Sequence, residues 1–315
     1  MTLESNDIVI IGASGFIGKN LMPLLATSTQ CEISILVHKN KIEWGNNTNI
    51  SQIEGSLFNK DSLRKLIPKK AIIINLAYLA DLSLKENTLS LENLLFEASS
   101  KGVERIIHVS TAVVSGRTFE KRINENSETH PLSKYEKNKK FLENYLINEG
   151  KRLGIKILIV RPTCVFGKDG KNLLKLVYDL KNKSVIIRYL KTCLYHRRTM
   201  NVVSVKDVCS VISFLINYPI KKTAEIFIVS DDDNNLNNYE SIENIFINEL
   251  GLKRFFFPVL KLPHILLSIL LFLLRQSNID PTRTFSRKKI EDVGWSSSVE
   301  LDVELRQFIQ SQKES

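Results

Sequence analysis

The chain has 315 residues, 43% hydrophobic and 25% charged, the balance of a globular protein, which excludes a disordered chain or a fibrous repeat. Forty-four Lys and Arg against 34 Asp and Glu give a formal net charge of +10, which favours an anionic partner. Nucleic acid is not expected, because no basic stretch is interleaved with the aromatic residues on which bases stack.

Cys31, Cys164, Cys193 and Cys209 are scattered, with no C-x-x-C pair and no His at ligand spacing. Neither a disulfide framework nor a metal site is expected, and a reducing cytoplasm suits the chain. Residues 1–7 are short and polar and run straight into an apolar strand, so no signal peptide is expected.

Periodicity sets the predicted elements in chain order. Residues 7–12 (DIVIIG) read as a strand, followed by a glycine turn and a helix over 16–27 with Ile17, Leu21, Leu24 and Leu25 at helical spacing. Strands are predicted over 32–37, 50–54 and 71–77, with a short helix at 61–66 and a longer one at 84–100 that ends at Gly102. A strand over 105–110, a helix over 134–152 and a strand over 155–160 complete the alternation. Strands buried on both faces with helices between them imply an α/β fold with a doubly wound parallel sheet, a Rossmann domain over residues 1–167. Beyond it come a helix over 172–180, a strand-like run at 185–189, a helix over 205–217 and a buried strand at 225–230 that is expected to rejoin the main sheet. Residues 168–315 are read mainly as a smaller mixed C-terminal substrate lobe, with helices near 239–250, 265–274 and 301–310. A ligand is expected at the carboxyl edge of the sheet.

The run 265–274 (ILLSILLFLL) is ten residues long, about 15 Å as a helix, half of a hydrocarbon core. It cannot span a bilayer. A buried helix is the first expectation, with a membrane-surface contact or a dimer contact as alternatives.

Three features carry chemistry. Gly12, Gly15 and Gly18 stand at i, i+3 and i+6 between a strand and a helix, with Ser14, Phe16 and Ile17 between them. Such a turn lets backbone N–H groups approach a pyrophosphate at the helix N-terminus. At the end of the second strand, where a carboxylate selects NAD, the chain has Val37-His38-Lys39. With no acid there and Lys39 able to meet a 2′-phosphate, NADP is favoured over NAD. Tyr135 and Lys139 lie four apart on a predicted helix, so the ammonium can lower the phenol's pKa from about 10. Ser110 and Thr111, at the carboxyl end of the fifth strand, can place a hydroxyl beside that phenol.

With the order of these features, the chain resembles the extended short-chain dehydrogenases/reductases, the nucleotide-sugar epimerase/dehydratase family, over nearly its whole length. Residues 12–18 (GASGFIG), 93–98 (NLLFEA), 109–116 (VSTAVVSG), 131–143 (P-x-S-x-Y-x-x-x-K-x-x-x-E), 161–167 (RPTCVFG), 203–208 (VSVKDV) and 293–295 (VGW) carry the likeness. The resemblance implies a catalytic triad of Thr111, Tyr135 and Lys139. It also implies cofactor contacts from Ser56 and Leu57, from Leu76 and Ala77 after the fourth strand, and from Pro162. Ser110, Thr111, Arg198 and Arg283 are the candidate substrate contacts, the two arginines for a diphosphate. Ser115, Ser56 and Lys206 depart from the family's usual Tyr, Asp and acid, and Ala112-Val113 stands where the dehydratases have Asp-Glu, so dehydration is disfavoured. The expected function is epimerisation or ketoreduction of a nucleotide-linked sugar, by a cytoplasmic homodimer. A steroid-type or other hydroxyl dehydrogenase and a non-catalytic dinucleotide sensor are the rival readings.

Overall fold

A computed structural model describes residues 7–29, 31–38 and 49–313. Ile8–Ile11 forms β1, buried at every residue, and the turn over 12–15 delivers the chain into helix α1, Phe16–Ser28. Next come β2 (Ile33–Val37), β3 (Ile50–Glu54) and α2 (Lys60–Leu66), whose N-cap Asn59 accepts from the amides of Asp61 and Ser62. β4 (Ile72–Asn75) is again wholly buried. α3 (Leu84–Ser100) starts at a capping box in which Ser83 and Glu86 satisfy each other's backbone N–H groups. β5 (Arg105–Val109) leads to a single 3-10 turn at Ala112–Ser115 and to the two-residue strand β6 (Arg122–Ile123). α4 (Lys134–Leu153), β7 (Lys156–Pro162) and β8 (Cys164–Phe166) follow.

The rest of the chain is mostly helical: α5 (Leu174–Asn182), α6 (Val185–Tyr195), β9 (Val202–Ser204), α7 (Val205–Ile216) and β10 (Ala224–Val229). It ends with α8 (Tyr239–Glu249), α9 (His264–Leu273), β11 (Thr284–Phe285), α10 (Lys288–Asp292) and α11 (Leu301–Ser311).

The chain divides into two compact units, Met1–Thr111 with Lys137–Arg161 and Cys209–Phe227, and Ala112–Glu136 with Pro162–Val208 and Ile228–Ser315. The first is built on a seven-stranded parallel sheet in the order β10-β7-β5-β4-β1-β2-β3. Its strand order reverses between β1 and β4, which pair in parallel from Ile8↔Ile72 to Ile11↔Asn75. That reversal is the switch point at which open α/β sheets bind ligands. One face is packed by Val9, Ile73, Ile106 and Ile157 against Leu94 and Ala98 of α3 and Leu142 and Leu146 of α4. Burial of each such large aliphatic side chain stabilises the fold by about 1.5–3 kcal/mol.

The second unit has its own core, centred on Phe166, Phe246 and Phe308, with the Phe166 and Phe308 rings edge to face at 6.2 Å. Two short parallel pairs, β8 with β9 and β6 with β11, tie its segments together.

Two expectations are corrected here. Residues 185–189 are the start of helix α6 and not a strand. Ser184 caps that helix by accepting from the amide of Ile187, and Arg188, Thr192 and Cys193 are buried at helical spacing, so tertiary burial overrides the strand preference of Val185, Ile186 and Ile187. The apolar helix α9 is not a buried core helix: Leu267 and Leu271 are buried, while most of its other large side chains are exposed.

Candidate active site

The glycine turn closes against the loop after β4. Gly12 has φ +85°, a conformation that favours glycine, and a Cβ there would lie 3.0 Å from the Ala77 nitrogen. Leu76 N donates to Ile11 O at 2.9 Å and Asn75 Oδ1 accepts from Ala77 N, so residues 76–77 are held beside the turn. At Gly18 a Cβ would stand 2.4 Å from Ala13 O, so α1 packs directly on the turn backbone. Gly15 caps α1 without a side-chain hydrogen bond, and no acidic residue occupies the first turn. The positive end of the helix dipole is therefore left for an anion, beside the exposed Ser14 and half-buried Phe16 and Ile17.

Further along the same edge, Gly55 N donates to Val37 O at 2.9 Å, which brings the half-buried Ser56 and Leu57 next to His38 after β2. Asn93 of α3 donates to Leu57 O at 3.1 Å. Lys39 lies outside the described residues.

Lys139 of α4 is buried, and its Nζ donates to Val109 O at 3.3 Å, at the end of β5, with the ammonium 4.5 Å from the centre of the Tyr78 ring. This contact places Lys139 next to Ser110 and Thr111. Burial lowers the lysine's pKa to about 8, opposed by the Glu143 carboxylate, so it remains mostly charged at neutral pH. Tyr135 sits one turn earlier on α4 and is partly exposed. Ser110 is buried with no hydrogen-bond partner for its Oγ, an orphan that a bound polar group would satisfy. His108, on β5, is buried with both ring nitrogens without a partner, and burial together with the Lys139 charge pushes its pKa down to about 3. Its ring is neutral, so Lys139 is the cationic side chain at this strand end.

In the second unit Arg198 lines a cavity of about 330 Å³ together with Lys175, Lys191, Tyr195, Tyr239 and Leu173. The Tyr195 and Tyr239 rings are 5.5 Å apart, and the Arg198 guanidinium lies 5.5 Å from the Tyr195 ring centre. Leu173 holds φ 69°, a left-handed conformation that costs a non-glycine residue about 1–2 kcal/mol. Arg283 is elsewhere and fully buried. Its Nη1 donates to Gly116 O at 3.0 Å and its Nη2 to Thr118 O, so the guanidinium anchors the turn after β5 and leaves only Nε without a partner. Pro162 is buried at the end of β7.

The sequence model of the NAD dependent epimerase/dehydratase family matches residues 8–229, more than two thirds of the chain. The chain belongs to this family. As an epimerase/dehydratase-family member it shares its fold with UDP-glucose 4-epimerase from Thermotoga maritima, solved with UDP-glucose, at 18% identity and a TM-score of 0.68 over 98% of this chain and 99% of that one. UDP-glucose 4-epimerase from Thermus thermophilus, in complex with NAD, gives 18% identity, a TM-score of 0.69 and the same coverage. dTDP-glucose 4,6-dehydratase from Bacillus anthracis, in complex with NAD, gives 17% and 0.72 over 98% and 97% of the two chains. No curated protein is detectably similar in sequence.

Several groups around the family's motifs are visible only in three dimensions. Arg161 makes a two-pronged ion pair with Glu143, at 2.9 and 2.6 Å, with both side chains buried. Both residues stand in motifs that the sequence displays, but their pairing, 18 residues apart across α4 and β7, has no local signal. Asp207, in the first turn of α7, accepts from Ser297 Oγ at 2.8 Å, and the neighbouring Lys206 pairs with Glu304 at 2.6 Å. Lys206 therefore occupies the family's acidic position with a partner on α11. Lys175, Lys191, Tyr195 and Tyr239 join Arg198 from three helices and escaped the sequence reading for the same reason.

Proposed function

We propose that the protein is an NAD(P)-dependent oxidoreductase of the epimerase or 4-ketoreductase type, acting on a nucleoside-diphosphate sugar with Tyr135 as its acid/base. The observation that carries this reading is the seat of Lys139: charged, buried, bonded to the end of β5 two residues before Thr111, and one helical turn after Tyr135.

The residues present fit a dinucleotide. The turn has no room for a Cβ at Gly18 and a left-handed φ at Gly12, the α1 N-terminus has no side-chain cap, and Ser110 Oγ lacks a partner. Gly12, Ser14, Gly15, Phe16, Ile17 and Gly18 would hold the pyrophosphate; His38, Lys39, Ser56 and Leu57 the adenosine end; Leu76, Ala77 and Pro162 the remainder. A bound nicotinamide supplies the hydride acceptor or donor. The stretch Val37-His38-Lys39, with no carboxylate, supports NADP over NAD.

The chain's own groups then handle the proton. Tyr135 Oη accepts it from a sugar hydroxyl or donates it to a ketone, and the Lys139 charge favours the phenolate form. Thr111 shares the hydrogen bond to the reacting oxygen, with Ser110 behind it. Ala112 and Val113 carry no acid or base, which supports hydroxyl–ketone interconversion over elimination.

For the substrate, the cavity around Arg198 offers three cations suited to a diphosphate and two tyrosine rings suited to a base or sugar face. Lys191 already meets Asp179 in an ion pair at 2.5 Å, which makes Arg198 the primary anchor; Arg283, buried elsewhere with two nitrogens committed to backbone carbonyls, lines no part of this cavity. Titration of UDP, GDP and dTDP tests this. At least one should bind the wild type, and Arg198→Ala should weaken it by about the tenfold or more of a charge-assisted hydrogen bond. If none binds the wild-type protein, the nucleotide-sugar reading fails.

A further inference from the structure

Helices α6 and α9 and the loop before α9 lie together in the second unit and carry many of its exposed apolar side chains. α6 packs on α9, Tyr189 of α6 sets its ring against Phe255 and donates to Pro258 O, and Leu262 N donates to Cys193 O. These contacts bring together the outward sides of both helices and the loop between α8 and α9. On that surface Ile186 is 72% exposed, Phe256 93%, Phe257 68% and Leu273 70%, with Leu190 and Ile269 exposed beside them. Isolated exposed apolar residues are ordinary, but a contiguous set of this kind marks an interaction site.

The charge distribution identifies the partner. Residues 180–206 and 251–279, which contain α6, the aromatic loop and α9, include no Asp or Glu and eleven Lys or Arg. The remainder of the chain is close to neutral, so the whole positive excess of +10 resides in the two segments that carry the exposed apolar surface. Arg188 is buried, and Lys191, Lys206 and Lys261 meet carboxylates from other elements. Lys253 and Arg254 directly precede the exposed phenylalanines, Arg275 follows α9, and Arg117 sits over the Phe272 ring at 5.4 Å. A second copy bound by two-fold symmetry would bring these basic rims against each other. An anionic lipid surface satisfies both the aromatic and aliphatic side chains and the charge around them. Among the described residues no helix is long and apolar enough to cross a membrane, so the geometry is that of a surface contact.

We propose that this surface, made by α6, the loop over 253–261 and α9, docks the protein on an anionic membrane leaflet. The test is flotation of the full-length protein with vesicles of phosphatidylcholine alone or with added phosphatidylglycerol, at low and high salt. The proposal expects binding roughly tenfold or more stronger to the phosphatidylglycerol vesicles, weakened by salt. Phe256→Ser/Phe257→Ser/Leu273→Ser should lower it by a further tenfold or so. Because the triple variant removes three large apolar side chains at once, Lys253→Glu/Arg254→Glu provides a second arm that leaves them in place, expected to abolish the preference for anionic vesicles while dinucleotide binding is unchanged. Absence of vesicle binding by the wild type, equal binding to both compositions, or binding by the variants at wild-type strength would each overturn the proposal. So would a wild-type dimer that the triple variant converts to monomer without any vesicle binding, which would assign the surface to a second copy.

Discussion

At Gly18 and Asp207 the surroundings of a single residue fix the sign of an expected effect. Gly to Ala within a helix ordinarily stabilises by about 0.5–1 kcal/mol. At Gly18 the added methyl would meet Ala13 O at 2.4 Å and Gly12 O at 2.5 Å, both backbone atoms of the glycine turn. The expected sign is therefore reversed: Gly18→Ala should lower the melting temperature and weaken dinucleotide binding together, measured by calorimetry with and without NAD(P). Asp207 is a different case, a carboxyl whose burial raises its pKa from 3.8 to about 6, opposed by the Ser297 hydrogen bond. Between those values the folded chain keeps a proton that the unfolded chain has released, so this group makes stability fall as pH rises through the window. Asp207→Asn removes the effect. Its stability relative to wild type, from urea titrations, should rise between about pH 4 and pH 6 and then level off; a constant difference would refute the assignment.

At the scale of elements, the buried pair between α4 and β7 fixes the helix that carries both Tyr135 and Lys139. Glu143→Gln leaves the Arg161 guanidinium buried beside a neutral amide, and loss of one member of such a pair costs about 3–5 kcal/mol. It also removes the carboxylate that supports the Lys139 charge. Urea unfolding should show the destabilisation, and a variant as stable as wild type would contradict the role given to the pair. Elements were legible where their signal is local. The buried runs of β1, β4 and β5 and the glycine turn all lie within a few residues of chain. α6 was not legible, because Val185-Ile186-Ile187 has strand preference and the burial of Arg188, Thr192 and Cys193 that makes it a helix comes from distant residues. α9 was legible as a helix but not as an exposed one, since composition does not reveal whether a partner face exists. β6, β8, β9 and β11 are two or three residues long, too short for a period to register.

At the scale of the molecule, the doubly wound parallel sheet follows from the alternation of strands and helices and the family likeness from the motifs set along it, while the strand order and the cavity around Arg198 do not. Its walls come from α5, α6, the segment before β9 and α8, and only Arg198 among them stood out in the chain. The chemistry likewise rests on side chains brought together by the sheet: Lys139 is placed at the end of β5 by α4 and not by its neighbours in sequence. The central claim is that Tyr135 moves the proton that accompanies hydride transfer. It is tested most directly by following the near-ultraviolet absorbance of reduced nicotinamide in a single turnover, with wild type and Tyr135→Phe presented with NAD or NADP and a series of nucleoside-diphosphate sugars. The account predicts a signal with at least one sugar in the wild type and a rate lower by about 10² to 10⁴ in the Phe variant, with dinucleotide affinity retained; a Phe variant that turns over at the wild-type rate would contradict it.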